Sequence, residues 1–209
     1  MSAYRGSQFL AAALAHTRRE AIIVAPQAAR DGDSDPEYLD WGRARNWETA
    51  LDRDVVNYID SHFRTIATRR GRALLGLSAG GYGAMIVALH NLDSFSVVES
   101  WSGYFHATDP SGLHPLQLGS ASRTRHASAH TYVSTLRQAT AQRPTFIAFY
   151  VGTADTRFRK ENERFDDELR KAHVPHVFEL YPGGHELGVW TQHAAAWLGL
   201  ALNHLAQPR

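Results

Sequence analysis

Cysteine is absent from the 209 residues, which excludes disulfides, thiolate metal ligands and a cysteine nucleophile. An excess of charge is also missing, because 22 Lys and Arg stand against 21 Asp and Glu, a formal net charge of +1. This balance argues against nucleic-acid or anionic-membrane partners, which both require a concentrated positive field. No run approaches the roughly 20 apolar residues of a membrane span. Residues 1–10 lack a basic start followed by an apolar core, so no signal peptide is predicted.

The sequence does contain enough apolar residues for a core, with 44% hydrophobic and 21% charged residues. Short apolar runs alternate with amphipathic ones, which predicts a single α/β domain over 1–209 with a mainly parallel sheet and helices on both faces. Strands are predicted at 21–25, 73–77, 95–101, 146–151 and 176–181, and helices at 5–17, 46–66, 79–89, 165–172 and 190–205. Residues 102–143 interrupt the alternation, and we interpret them as a lid-like or substrate-binding insertion.

A G-x-S-x-G motif at 76–80 lies between the predicted strand 73–77 and the predicted helix 79–89. This is the context of a nucleophile elbow, in which a serine occupies a strained strand-to-helix turn and small neighbours leave room for the backbone. The helix N-terminus after Ser78 favours a developing oxyanion. A phosphate-binding or purely structural turn is the alternative, but neither G-x-G-x-x-G nor G-x-x-x-x-G-K-[ST] follows a strand. The motif therefore favours Ser78 as a nucleophile.

Two residues further along the chain fit the partners that a serine nucleophile needs. Asp155 follows the predicted strand 146–151 and His185 follows the predicted strand 176–181, in the order Ser, Asp, His. Parallel strands bring all three to one edge of the sheet, so we predict a Ser-His-Asp triad. Asp155 could instead cap its turn, and Glu161 is the alternative acid.

The histidines at 126 and 130 have helical spacing and could share a metal ion. No carboxylate near them in the sequence completes such a site, so we favour a solvated helix face and predict no metal. The acidic run at 31–35 resembles the start of a calcium loop, but Pro36 and Gly42 occupy the positions that need Gly and Glu. A solvated acidic loop is the favoured interpretation.

These motifs resemble the putative-esterase (esterase-D-like) family of α/β-hydrolases, which includes S-formylglutathione hydrolases, feruloyl-type esterases and mycolyltransferases. The resemblance covers nearly the whole chain, through residues 25–26, 47–49, 62–66, 76–84, 100–104, 152–155 and 181–185, with Trp190 beyond them. It implies that Ser78 is the nucleophile, His185 the general base and then acid, and Asp155 the orienting acid. It also implies that the Ala79 N–H binds the oxyanion and that no cofactor is needed.

One departure concerns the front of the chain. The family's first oxyanion donor lies in a loop after a strand that ends near His-Gly, and this sequence contains no such strand or loop. We therefore expect an α/β-hydrolase fold lacking the N-terminal strands and the oxyanion loop. Either the chain is a fragment, or strand 21–25 pairs directly with strand 73–77. One missing oxyanion donor typically lowers kcat by roughly 10²–10³, which predicts a slow esterase.

The resulting expectation is a serine carboxylic-ester hydrolase that acts on a small-molecule ester through an acyl-enzyme. An acyltransferase using the same triad, a weakly catalytic binding protein and a fragment are the alternatives. Tyr38, Trp41 and Tyr82 are candidate substrate-binding residues, with ordinary core or rim packing as an equal alternative. The sequence predicts no oligomeric state. If the chain is complete, we expect the protein in the cytoplasm. If the chain is truncated at its N-terminus, a location outside the cytoplasm is the alternative.

Overall fold

The computed structural model describes residues 3–26, 38–109 and 113–207, so the predicted acidic loop at 31–35 lies outside the described residues. The helices within these ranges are α1 (Ala3–Thr17), α2 (Trp47–Thr49), α3 (Val56–His62), α4 (Ala79–His90), α5 (Ala121–His126), α6 (Val133–Gln142), α7 (Arg159–Lys171) and α8 (Leu187–Asn203). The strands are β1 (Ala73–Leu77), β2 (Val97–Trp101), β3 (Phe146–Gly152) and β4 (Val177–Tyr181). A π-helical segment, Ala50–Val55, joins α2 to α3, and Ala129–Tyr132 forms a 3₁₀ turn before α6.

The four strands form one parallel sheet in the order β1-β2-β3-β4. Their register pairs Leu77 with Trp101, Trp101 with Tyr150 and Gly152 with Tyr181. The carboxyl ends of all four strands therefore meet at one edge, as the sequence predicts for these strands. Among the described residues no helix is long and apolar enough to cross a bilayer.

Helices cover both faces of the sheet. Along β3, Ile147 and Phe149 point into a core cluster shared with residues of α4, α6 and α7. The alternate residues Ala148 and Tyr150 point into a second cluster shared with α1 and α8. A strand buried on both faces is expected to be apolar throughout, which explains why the run at 146–151 is such a clear signal in the sequence.

The strand predicted at 21–25 is wrong. Residues 21–26 form no regular secondary structure, and the side chains of Ile22 and Val24 are 48% and 41% exposed. Ile23 packs against the cluster under α1 and α8, so one apolar side chain of the run is partly buried. A strand requires a neighbour for its backbone hydrogen bonds, and no described strand pairs with this segment. The hypothesis that 21–25 pairs with 73–77 is therefore also wrong.

The segment 102–143 contributes directly to the core. Phe105, Ala129 and Leu136 are fully or almost fully buried in the cluster that also contains Phe149 and Phe165. Short bridges hold the segment together, with residue 106 pairing with 128 and residue 108 with 115. The single-domain assignment and the lid-like role of this segment stay predictions.

Candidate active site

Ser78 occupies a strained turn between β1 and α4. Its backbone angles are φ 56° and ψ −119°, a conformation that residues with a side chain rarely adopt. The Ser78 N–H donates to the carbonyl of Trp101 at 2.9 Å, and its own carbonyl accepts from Gly81 N at 2.8 Å. A Cβ on Gly76 would lie 1.8 Å from the Gly80 carbonyl oxygen, so the close approach of strand and helix requires glycine there.

His185 joins Ser78 to Asp155 through two hydrogen bonds. The Ser78 Oγ lies 2.9 Å from His185 Nε2, and His185 Nδ1 lies 2.9 Å from Asp155 Oδ2. The Asp155 side chain is fully buried and the His185 ring is mostly buried. The structure thus brings together the three residues that the sequence predicts as a triad, which sit 77 and 30 positions apart along the chain.

The second carboxylate oxygen of Asp155 is held by the backbone that follows it. Asp155 Oδ1 accepts from the N–H groups of Arg157 and Phe158 at 3.0 and 3.1 Å. Burial alone would raise the pKa of Asp155, but the hydrogen bonds from His185, Phe158 and Arg157 outweigh it and hold the pKa below its ordinary value. Asp155 is therefore a carboxylate at neutral pH, and it both caps its turn and binds His185.

The loops that carry Asp155 and His185 touch through their backbones. Ala154 N donates to Gly183 O at 2.8 Å, and Thr153 N donates to Tyr181 O at the same distance. A Cβ on Gly152 would lie 2.3 Å from the Gly183 oxygen, so glycine is needed at the contact. Gly183 itself has φ +122°, which also favours glycine.

Two aromatic rings hold the His185 imidazole from the side. Phe158 meets it at a centroid distance of 5.1 Å, and Trp190 at 4.8 Å with nearly perpendicular planes. Trp190 Nε1 donates to Ser102 Oγ at 2.9 Å, and that hydroxyl also bonds to Tyr181 OH. Sequence reasoning included Trp190 only in the family resemblance and missed its contact with the base. The signal that could have found it is its position five residues after His185, in the first turn of the predicted C-terminal helix.

Ala79 begins α4, so its N–H belongs to the first turn, whose donors have no acceptor within the helix. The positive end of the helix dipole lies at the same point. The backbone next to Ser78 can therefore donate to an anionic oxygen formed at this serine.

The three predicted substrate-binding aromatics occupy different environments. Tyr82 is almost fully buried, stacks on Tyr104 at 5.1 Å and donates its hydroxyl to Ala127 O at 2.9 Å. This placement corresponds to the core-packing alternative for Tyr82. Tyr38 lies over α4 near Gly83, and the Arg123 guanidinium lies 5.3 Å from the Trp41 ring. A substrate-binding role for Tyr38 and Trp41 stays a prediction.

The alternative acid, Glu161, has no hydrogen bond to His185. Its Oε1 accepts from Phe105 N at 2.9 Å and contacts the rings of His106 and His130. The interpretation of His126 and His130 as a solvated helix face is wrong. His126 ends α5, whereas the mostly buried His130 belongs to the 3₁₀ turn. Each meets a carboxylate from a remote part of the chain, which their local sequence could not reveal.

The family model described as "Putative esterase" matches residues 5–198. The chain belongs to this family. An esterase of Mycobacterium tuberculosis (strain H37Rv) is 27% identical in an alignment 188 residues long, which covers 78% of this chain and 41% of that protein. The chain therefore spans less than half the length of this curated relative.

Solved structures of the same fold include a ferulic acid esterase and an S-formylglutathione hydrolase. A ferulic acid esterase has a TM-score of 0.67 and 23% identity, covering 80% of this chain and 65% of that chain. S-formylglutathione hydrolase FrmB from Staphylococcus aureus has a TM-score of 0.65 and 23% identity, covering 79% of this chain and 67% of that chain. These similarities confirm the predicted α/β-hydrolase fold, and the family match confirms the resemblance to the putative esterases.

Proposed function

We propose that this chain is a serine carboxylic-ester hydrolase that works through Ser78, His185 and Asp155. The observation that supports the proposal most is the continuous hydrogen-bond path from Ser78 Oγ through His185 to Asp155, with both links at 2.9 Å. A hydroxyl next to a base that is itself oriented by a buried carboxylate is the arrangement that activates serine.

In the first half of the reaction, Ser78 Oγ attacks the ester carbonyl carbon while its proton moves to His185 Nε2. The imidazolium that forms is stabilised by the Asp155 carboxylate at Nδ1. Collapse of the tetrahedral intermediate breaks the bond to the alkoxy oxygen, and His185 gives its proton to the departing alcohol. The acyl group is then bound to Ser78 as an ester.

In the second half, His185 takes a proton from a water molecule that attacks the acyl-enzyme. The acid leaves and the proton returns to Ser78 Oγ, which restores the starting state. If an alcohol attacks in place of water, the same steps give acyl transfer, because the triad itself does not select the acceptor.

The negative charge of both tetrahedral intermediates falls on the former carbonyl oxygen. The Ala79 N–H at the start of α4 is the donor that the elbow supplies for it. A second donor typically contributes roughly 10²–10³ in kcat, so with the Ala79 N–H alone we expect slow turnover.

The proposal is tested by hydrolysis of p-nitrophenyl butyrate with the wild type and Ser78→Ala, and by labelling both with a fluorophosphonate. We expect the wild type to release p-nitrophenolate and to gain one covalent adduct in its intact mass. Ser78→Ala is expected to lose the adduct and to lose turnover by orders of magnitude, because the triad acts as a unit.

The matched control is Ser61→Ala, since Ser61 is exposed and its hydroxyl bonds to the backbone of its own helix. This variant should keep wild-type turnover and the adduct. Equal turnover in the wild type and Ser78→Ala, or an adduct that persists in Ser78→Ala, would show that the activity does not come from this site.

A further inference from the structure

A second cluster of titratable side chains lies apart from the proposed triad. It contains His106 from the segment after β2, His130 from the 3₁₀ turn, and Glu161 and Glu168 from α7. The cluster borders a surface cavity of about 400 Å³, which His106, Ser128, His130, Lys160, Glu161 and Arg164 line. Three separate parts of the chain therefore bring imidazole and carboxylate groups to one accessible place.

Three of these groups converge with the spacing of metal ligands. Glu161 Oε1 contacts His106 Nδ1 and lies 3.4 Å from His130 Nε2. One ligand atom from each of the three residues lies within 4.8 Å of the other two. A tetrahedral zinc ion with bonds near 2.0–2.1 Å holds its ligand atoms about 3.3 Å apart, so small side-chain shifts suffice to bind one.

The remaining polar contacts match those that orient metal ligands. His130 Nδ1 lies 2.5 Å from Glu168 Oε2, and Glu168 is itself bonded by Arg164 at 2.8 Å. An imidazole that gives its other N–H to a carboxylate directs its free nitrogen at a metal. The ring of Phe165 meets the His130 ring edge-on at 5.3 Å and limits its rotation.

The charges in the cluster favour a cation between the two imidazoles. Glu161 Oε1 accepts from the Phe105 N–H at 2.9 Å and faces both imidazole rings. Both ring nitrogens of His130 face carboxylate oxygens, and each such contact requires a proton or a metal ion. Lys160 at the rim opposes a cation, whereas Arg164 is already paired with Glu168.

We propose that His106 Nδ1, His130 Nε2 and a Glu161 carboxylate oxygen bind one divalent transition-metal ion of the zinc type. Water from the cavity takes the open position, and Glu168 orients His130. Binding displaces protons from the imidazoles and involves no change of oxidation state. The ion would fasten α7 to the segment after β2, and the site is independent of the proposed hydrolase reaction.

A second cluster, Glu48 with His90 and His126, is a poorer candidate. One ligand atom from each of these residues also lies within 4.8 Å of the other two, but the two imidazole rings stack on each other with centroids 4.1 Å apart and planes 17° from parallel. His90 already bonds Glu48 through Nδ1 and the His126 carbonyl through Nε2. This cluster therefore serves as an internal control for the proposal.

The test is calorimetric titration of the full chain with zinc chloride after chelator treatment, with Tm measured in parallel. We expect one equivalent to bind the wild type and to raise Tm, because the ion binds only the folded state. Glu161→Gln and His106→Ala should weaken binding at least 100-fold, and Glu168→Gln 10–100-fold through the orientation of His130. His106 is more than one-third exposed, so its variant is expected to fold even if Glu161→Gln does not.

Two matched controls are Glu163→Gln, on the same helix and paired with Arg159, and Glu48→Gln in the second cluster. Both should bind zinc as the wild type does. The proposal is overturned if the wild type binds no zinc, if His106→Ala and Glu168→Gln bind as tightly as the wild type, or if Glu48→Gln alone abolishes binding. Cobalt substitution gives an independent readout, since the wild type should show the intense visible bands of a four-coordinate ion.

Discussion

Glu99 is a fully buried acid in the middle of β2, and its removal should change how stability depends on pH. Its side chain is 0% exposed, and its two oxygens accept from Trp101 Nε1 at 2.9 Å and Tyr150 OH at 3.2 Å. Both donors are neutral, and their hydrogen bonds only partly offset the free-energy cost of removing the carboxylate from water. Burial therefore raises the pKa of Glu99 to about 8.

An acid whose pKa is higher in the folded state stabilises the fold in its protonated form. Between the ordinary value of 4.5 and about 8, the folded chain binds more protons than the unfolded chain, so the free energy of unfolding falls as pH rises. Each pKa unit corresponds to 1.36 kcal/mol, which gives a loss of about 3 kcal/mol by pH 7 and a total loss of about 5 kcal/mol once the pH is well above 8. Losses of that size are large against a typical stability of 5–15 kcal/mol.

Glu99→Gln removes this dependence while keeping the shape of the side chain. The amide oxygen can accept from Trp101, and the amide N–H can donate to Tyr150, whose hydroxyl also accepts. In urea unfolding we expect the variant and the wild type to be similar near pH 4.5, and the variant to be more stable by several kcal/mol near pH 8.

The control is Glu179→Gln, an exposed residue of β4, which should follow the wild-type curve at every pH. Parallel curves for the wild type and Glu99→Gln from pH 4.5 to 8 would refute the reasoning, because they would mean that Glu99 is ionised in the fold at no cost.

Three further changes test the site and its scaffold. Asp155→Asn should lower kcat for p-nitrophenyl butyrate by about 10⁴ without unfolding the chain, whereas the exposed Asp167→Asn should not, as steady-state kinetics and circular dichroism would show. Gly76→Ala should lower the free energy of unfolding in urea by about 3 kcal/mol or more, because its Cβ would overlap the Gly80 oxygen. The control Gly199→Ala, in the middle of α8 with room for a Cβ, should raise the free energy of unfolding by up to about 1 kcal/mol. Trp190→Phe keeps a ring beside His185 but loses the bond to Ser102, so kcat should fall several-fold with little change in KM. A wild-type kcat in Trp190→Phe would mean that this bond does not position the base.

The sequence predicts the site well where local pattern and chain order carry the information. The strand at 73–77, the turn at Ser78 and the positions of Asp155 and His185 after β3 and β4 follow from apolar runs that end at small residues. These signals are local, and the parallel sheet then brings the strand ends together.

The prediction fails where the decisive contacts join distant segments. The run at 21–25 has the composition of a strand, but no described strand pairs with it. The sequence predicts the start of α7 six residues too late, because Arg159–Arg164 is polar throughout and shows no apolar period. Glu161 and His106 are 55 residues apart, so no spacing rule in the sequence reveals that they meet.

The contact between Gly152 and Gly183 makes the proposed acid and base parts of one mechanical unit. Because the two loops share backbone hydrogen bonds, a displacement of either loop moves both, while Ser78 stays anchored to the end of β2. Substitutions in the 152–155 loop and the 183–185 loop should therefore be strongly non-additive. Efforts to reshape this site by selection would need to vary the two loops together, as though they were a single segment.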